Sequence, residues 1–284
     1  MNAINVKDIT MKFGEVTALN HVNVTFESNK IYGLLGRNGA GKSTLLNIIT
    51  NKIFPTDGVV SVDGEASLEN DNALGKIYCM SEKTLYTETV KIKEVFQWSK
   101  LFYKDFDEEY AKSLAKIFDL NLNKKIKGLS TGYNSIFKLI IALSVNVPYI
   151  LLDEPVLGLD ANHRELFYKV LLQNYSEHPK TIIISTHLIE EVADLIEQVV
   201  IIKQGEVILD KPTEEVLQMG YCVSGSAQEV DNYISDKKTL SVESLGGLKT
   251  ACLLGTVTKS ELPTGLQTTK LDLQKLFIQL TNQL

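Results

Sequence analysis

Gly36-Arg37-Asn38-Gly39-Ala40-Gly41-Lys42-Ser43-Thr44 satisfies the pattern G-x-x-x-x-G-K-[ST] in full, and its reading decides the fold. Gly36, Gly39 and Gly41 let the backbone curl tightly and leave its amides open to phosphate oxygens. A helical pattern starts at Lys42 and runs to about Ile49, so the positive end of a helix dipole faces the same anion. Lys42 adds a mobile cation for the β- and γ-phosphates, and the Ser43 hydroxyl is a candidate magnesium ligand. With Asn38 and Thr44 these are the candidate nucleotide-binding positions. The bland alternative is a glycine-rich turn with a surface lysine. The apolar run Ile31–Leu35 ahead of the loop supplies the strand–loop–helix order that gives the pattern its meaning.

A second stretch belongs with the first. Tyr149-Ile150-Leu151-Leu152-Asp153-Glu154-Pro155 is an apolar strand that delivers two adjacent carboxylates. At the carboxyl end of a strand beside a phosphate loop, Asp153 can hold magnesium. Glu154 then stands where the attacking water would be, as a general base. A strand cap with two solvated acids is the alternative.

Around these motifs the pattern is that of one large α/β domain. Antiparallel strands are expected near Ile4–Met11 and Thr17–Glu27, and buried strands at Thr181–Ile184 and Val199–Ile202. Helices are expected over Ala161–Tyr175 and Leu188–Glu197, an alternation that implies a mostly parallel sheet. Leu85–Val147 instead carries amphipathic helical patterns at Ile92–Phe102, Glu108–Phe118 and Ser130–Val145. From about residue 219 the chain reads as a small α+β unit. Its expected strands are Tyr221–Ser224, Thr239–Leu245 and Lys249–Leu254, and its expected helices are Gln228–Ser235 and Leu271–Leu284. Leu273, Leu276, Phe277 and Leu280 share one face of the last helix, a stripe that reads as core before it reads as a self-association surface.

The chain of 284 residues has a formal net charge of −6 and is 44% hydrophobic. The acidic balance offers no electrostatic reason to sit on nucleic acid or an anionic bilayer. Cys79, Cys222 and Cys252 form no C-x-x-C pair, and so scattered a set argues against a disulfide scaffold or zinc site. A membrane-spanning helix takes about 20 apolar residues. The best run, Ile136–Leu152, is interrupted by Lys138, Asn146 and Pro148.

In this order the motifs resemble those of ATP-binding cassette ATPases across nearly all of residues 1–218. Leu129-Ser130-Thr131-Gly132-Tyr133 stands where that family carries Leu-Ser-Gly-Gly-Gln. Gly158-Leu159-Asp160 is similar to its D-loop, and His187 in Ser185-Thr186-His187 to its switch histidine. Phe13 resembles the aromatic that stacks on adenine. The resemblance implies a P-loop NTPase (RecA-like) core with an N-terminal antiparallel β-subdomain, a helical subdomain at about 85–147 and a C-terminal α+β extension over 219–284. It implies ATP and Mg2+ as ligands, Ser43 and Asp153 at the metal, and Glu154 and His187 in catalysis. Two subunits, most simply a homodimer, would clasp ATP head to tail, with Ser130, Gly132 and Asp160 acting across the interface. Plain packing for Phe13, a satisfied strand-end role for His187 and a helix cap for Asp160 are the competing readings.

The sequence also departs from that family. Thr131 and Tyr133 replace glycine and glutamine in the signature. The glutamine expected after Tyr78-Cys79-Met80 is absent, with Ser81 at its position and Glu82 next to it. Together with the tail, these departures resemble a subset of small Gram-positive exporter ATPases that handle antimicrobial peptides, peptide toxins of the phenol-soluble-modulin type and related amphipathic compounds. That placement implies a separate membrane permease and a peripheral position on the cytoplasmic face of the plasma membrane. Phe96, Trp98, Phe102 and Tyr103 of the helical insert are the candidate apolar anchors for the permease, and for most of them core packing is the equal alternative. The competing functions are a soluble cassette ATPase of DNA repair or translation and a regulatory module that barely hydrolyses ATP.

Overall fold

The computed structural model describes residues 2–237, 239–257 and 262–282. Its elements follow the chain from a hairpin of β1 (Ala3–Phe13) and β2 (Val16–Glu27) into β3 (Ile31–Leu35) and α1 (Lys42–Ile49). Next come β4 (Asp57–Val62), β5 (Glu65–Ala66), α2 (Asp71–Leu74) and β6 (Ile77–Met80). A helical stretch holds α3 (Ile92–Phe102), α4 (Glu108–Ile117) and α5 (Thr131–Ser144). The chain then alternates through β7 (Tyr149–Asp153), α6 (Ala161–Glu177), β8 (Thr181–Thr186), α7 (Ile189–Val192), β9 (Gln198–Lys203), β10 (Glu206–Pro212) and α8 (Thr213–Leu217). The tail adds β11 (Gly220–Ser226), α9 (Ala227–Ile234), β12 (Thr239–Leu245), β13 (Leu248–Leu254), β14 (Gln267–Lys270) and α10 (Leu273–Asn282).

The central sheet has the order β10-β9-β3-β8-β7-β6, and only its β10–β9 pair is antiparallel. A parallel sheet is covered on both faces, so its strands read as near-continuous apolar runs, as the fully buried Ile31–Leu35 and the stretch 149–152 do. One strand, β8, lies between the phosphate-loop strand β3 and the carboxylate strand β7. Parallel register therefore brings the carboxyl ends of β3, β6, β7 and β8 to one edge, the place where open α/β sheets bind ligands. A second sheet, β2-β1-β4-β5, is antiparallel and packs with α1 and the outer face of β3 in one apolar cluster.

The expected Leu188–Glu197 helix is corrected to the single turn of α7. Glu197 is already committed to β3: its backbone N–H donates to Ile31 O at 2.8 Å, and its side-chain Oε2 accepts from Ile31 N. A chain pinned there has no room for three helical turns. Phe96 is likewise not a surface anchor. It is buried against Phe106, with ring centroids 6.1 Å apart.

The tail does not stand apart. Leu271, Leu273, Leu276 and Phe277 belong to the same buried cluster as β7, β8, α5 and α7, so the α10 stripe is core. The last two residues of the expected Leu271–Leu284 helix lie outside the described residues. Leu276 is 0% exposed, and Leu276→Ala should cost about 2–5 kcal/mol, the usual range for truncating a buried leucine. The urea midpoint of the whole chain should fall with it. A midpoint unchanged by the substitution would show that the tail folds independently. The cysteine reading is also corrected: antiparallel pairing of β11 with β13 puts Cys222 directly opposite Cys252, and the two are joined as a disulfide. Spacing along the chain hides that neighbourhood, because the residues lie 30 apart in sequence.

Candidate functional site

Asn38, Gly39, Gly41, Lys42, Ser43, Thr44, Glu154 and His187 line one cavity of about 390 Å³, joined by Ala18, Ala40, Glu82 and Leu157. The loop between β3 and α1 forms its floor. Gly39 (φ 80°) and Gly41 (φ 110°) both adopt left-handed backbone, which favours glycine. At Gly41 a Cβ would also strike Ala18 O at 2.7 Å, and at Gly36 it would strike Ile202 O at the same distance. These two glycines are therefore fixed by close backbone approach. At Gly39 a Cβ would meet nothing within 4 Å, so that position is held by its backbone angle on the open side of the loop.

Lys42 is buried. Its Nζ donates to Gly36 O at 2.7 Å and to Arg37 O at 3.4 Å, and lies 3.8 Å from Glu154 Oε1. Burial pushes its pKa down, opposed by the nearby Glu154 and Asp153 carboxylates. β8 organises the acids. Asp153 pairs in register with Ser185, whose Oγ donates to Asp153 Oδ1 at 2.8 Å. Thr186 Oγ1 donates to Glu154 Oε2 at 3.1 Å, and His187 Nδ1 is 2.9 Å from Glu154 Oε1. Glu154 itself has φ 46°, a left-handed backbone that costs of order 1 kcal/mol or more for a non-glycine residue and clusters at functional sites. Its N–H donates to Ser185 O at 2.8 Å, which extends the β7–β8 ladder and holds the turn. In the sequence Ser185 and Thr186 stand out only as neighbours of His187. Two hydroxyls closing an otherwise apolar strand were the signal for their role.

The other candidates lie elsewhere. Phe13, 51% exposed, sits at the end of β1 outside the pocket lining. Ser130 is the N-cap of α5, where its Oγ accepts from Tyr133 N at 3.3 Å; a hydroxyl spent as acceptor keeps its proton free to donate. Asp160 caps α6 by accepting from His163 N at 2.9 Å, and its second oxygen is 2.9 Å from His163 Nδ1. The capping geometry is thus real, and these contacts hold the Asp160 carboxyl below its usual range. Gly132 packs on Gly158, and Ser135 Oγ donates to Leu157 O at 2.8 Å. Signature and D-loop segments therefore pack on one another, and neither Ser130, Gly132 nor Asp160 lines the cavity at Lys42.

The donor set suits a magnesium nucleotide. Ser43 and Asp153 offer hard oxygens, and among the described residues no group of three or more His, Cys, Asp or Glu could cage a metal alone. Magnesium takes one or two carboxylates and completes its shell with phosphate oxygens and water.

Fold and pocket thus define a P-loop nucleoside triphosphatase. The family profile described as ABC transporter matches residues 19–157. The chain is 31% identical to the ABC transporter ATP-binding protein NatA of Bacillus subtilis (strain 168), over 72% of this chain and 87% of NatA. It is 26% identical to the petrobactin import ATP-binding protein YclP of the same strain, over 81% of this chain and 96% of YclP. It also resembles the dimeric post-hydrolysis structure of the ATP-binding cassette MJ0796 bound to ADP and Pi, with a TM-score of 0.66 and 27% identity over 74% of this chain and 98% of that one. This chain belongs to the ATP-binding subunits of ABC transporters: it is an ATPase that binds ATP and Mg2+. Among the described residues, no helix is long and apolar enough to cross a membrane.

Proposed function

We propose that the protein is an exporter motor in which two copies meet head to tail, clasp ATP between them and drive a separate membrane-spanning subunit from the cytoplasmic face of the plasma membrane. The division of the chemistry between two faces of one chain carries this reading. Lys42, Ser43, Glu154 and His187 line the pocket, whereas Ser130 is exposed at the head of α5 and takes no part in that lining. A second copy supplies the missing half to each.

In that arrangement Lys42 and the amides of the loop neutralise and hold the β- and γ-phosphates. Ser43 and Asp153 would hold the magnesium, which when bound would supply Lewis-acid polarisation and charge screening at the phosphate. Glu154 takes a proton from the attacking water at its carboxylate. The water oxygen bonds to the γ-phosphorus as the bridging oxygen–phosphorus bond breaks, leaving ADP and phosphate. Thr186 and His187 hold Glu154 in orientation. Ser130, Gly132 and Asp160 act on the partner's nucleotide, and Phe13 stacks on adenine for about 1–3 kcal/mol by analogy with other base–aromatic contacts.

The permease contact falls on α3. Trp98, Leu101 and Phe102 follow i, i+3, i+4 spacing and so share one helix face, and Leu101 and Phe102 are 82% and 83% exposed. Exposed apolar side chains grouped in this way mark interaction surfaces. Pull-down of the whole chain from its own membranes should retain a polytopic membrane protein, and Leu101→Asp with Phe102→Asp should cut the retained amount at least about tenfold, the equivalent of ~1.4 kcal/mol. Recovery of no membrane protein counts against the reading. Export, with amphipathic peptides as cargo, is supported by Thr131, Tyr133 and the missing glutamine. YclP favours the opposite direction. ATP-driven uptake of such a peptide into inside-out vesicles marks export, and uptake into right-side-out vesicles overturns it. The soluble DNA-repair or translation reading is opposed by the insert, whose helices are 11, 10 and 14 residues long and packed on the core.

A further inference from the structure

We infer that Lys138, on the signature helix α5, is a positioning residue that sets the Glu82 carboxylate in the nucleotide pocket as the metal-side group, one residue beyond the position where the family carries a neutral glutamine. The inference rests on the magnesium–nucleotide reading above and goes beyond it by assigning the group and what holds it.

The choice between Ser81 and Glu82 is made by where each faces. Glu82 lines the nucleotide cavity with Lys42, Ser43, Glu154 and His187. Ser81 turns the other way: its Oγ donates to Lys83 O at 2.9 Å, and it lines a separate cavity of about 290 Å³ between β6 and α5. A buried cation ties the turn to α5. Lys138 is 7% exposed, and its Nζ donates to Ser81 O at 3.0 Å and Glu82 O at 2.6 Å. A buried ammonium without such acceptors would be costly, so the two carbonyls and the ammonium fix one another.

Two more contacts come from the same helix face. Asn134 Nδ2 donates to Thr84 Oγ1 at 2.5 Å, and the Phe137 and Tyr86 rings meet edge to face at 5.5 Å. Positions 134, 137 and 138 are spaced i, i+3, i+4, so a single stripe of α5 staples residues 81–86. Charge follows the same logic. A carboxylate in the role of the family's neutral amide adds a negative charge to the pocket, and the Lys138 ammonium lies in the field of both Glu82 and Asp153. The helix whose N-terminus faces outward thus grips, within about two turns of its start, the segment that meets the chain's own metal.

The test is a metal titration in the whole protein. Mn2+ binding in the presence of a non-hydrolysable ATP analogue is followed by the electron paramagnetic resonance of free Mn2+, and metal-free nucleotide binding is measured in EDTA. Lys138→Met should weaken Mn2+ by about tenfold, the lower end of the loss seen when a supporting residue of a metal ligand is removed, with metal-free nucleotide affinity within twofold. Glu82→Gln should weaken Mn2+ equally, the double variant should lose no more than either single one, and Lys138→Arg should restore part of the loss. Additive losses, or unchanged Mn2+ affinity in Lys138→Met, would overturn the assignment. Glu82→Gln changes an exposed side chain, so it decides the matter even if Lys138→Met fails to fold: unaltered Mn2+ affinity there sinks it. Wild-type protein that binds nucleotide neither with nor without metal would instead overturn the nucleotide reading itself.

Discussion

Glu154→Gln should lower the rate of ATP hydrolysis by about a thousandfold, within the 10²–10⁴ range that a positioned general base contributes, and leave ATP binding intact. The expectation comes from how the carboxylate is held. Its Oε2 accepts from Thr186 Oγ1 and its Oε1 is in contact with His187 Nδ1 and Lys42 Nζ, at 3.1, 2.9 and 3.8 Å. An amide of the same shape keeps one acceptor for Thr186 but cannot take a proton from water near neutral pH. None of the loop amides that hold phosphate depends on Glu154, so affinity for ATP should stay within a few-fold of wild type. Binding without turnover should trap the head-to-tail pair. The measurements are phosphate release with the membrane partner present and gel filtration at saturating Mg-ATP. Matching rates for wild type and variant would remove Glu154 from the chemistry and favour the weakly hydrolysing regulatory module; a monomeric elution position would remove the sandwich.

The parts of this site that were legible in the sequence are those whose chemistry is local. The loop 36–44 announces itself because tight curvature needs glycine and the next residues must start a helix; β3 and α1 occupy the expected residues Ile31–Leu35 and Lys42–Ile49. The same holds for α3 at Ile92–Phe102, whose amphipathic period is uninterrupted. What stayed hidden is set by contacts between distant segments. β6 has only four residues, Ile77–Met80, and pairs on one side alone, with β7; nothing in so short a run separates it from a loop. Ser81 and Glu82 could not be ranked by position, because the orientation of their turn is decided by a lysine 56 residues from Glu82. Cys222 and Cys252 become neighbours only once β11 and β13 pair. Ser185 and Thr186 acquire their roles from a strand order that sets β8 between β3 and β7.

Gly132→Val should abolish most hydrolysis, by about a hundredfold, while a single chain still binds ATP. Gly132 lies in the first turn of α5, where replacing glycine ordinarily favours the helix by a few tenths of a kcal/mol or more, so any loss must come from outside the helix. A Cβ there would stand 2.5 Å from Gly158 O, a backbone atom that cannot swing aside as a flexible side chain does. Gly158, at φ 77°, is itself close beneath Thr131, whose Cγ2 would lie 2.8 Å from a Cβ at that position. Thr131 therefore covers Gly158. Pushing Gly132 off Gly158 displaces Ser130 and the 158–160 turn together, and a shift of about 1 Å at a group that positions a reactant can cost ~10²-fold. Gly128→Ala is the control: a Cβ there meets nothing within 4 Å and its φ is not left-handed, so activity should be retained. Nucleotide binding by the isolated chain should be the same in both variants, because Gly132 does not line the pocket at Lys42. A Gly132→Val chain that hydrolyses within twofold of wild type would show that the signature face takes no part in turnover.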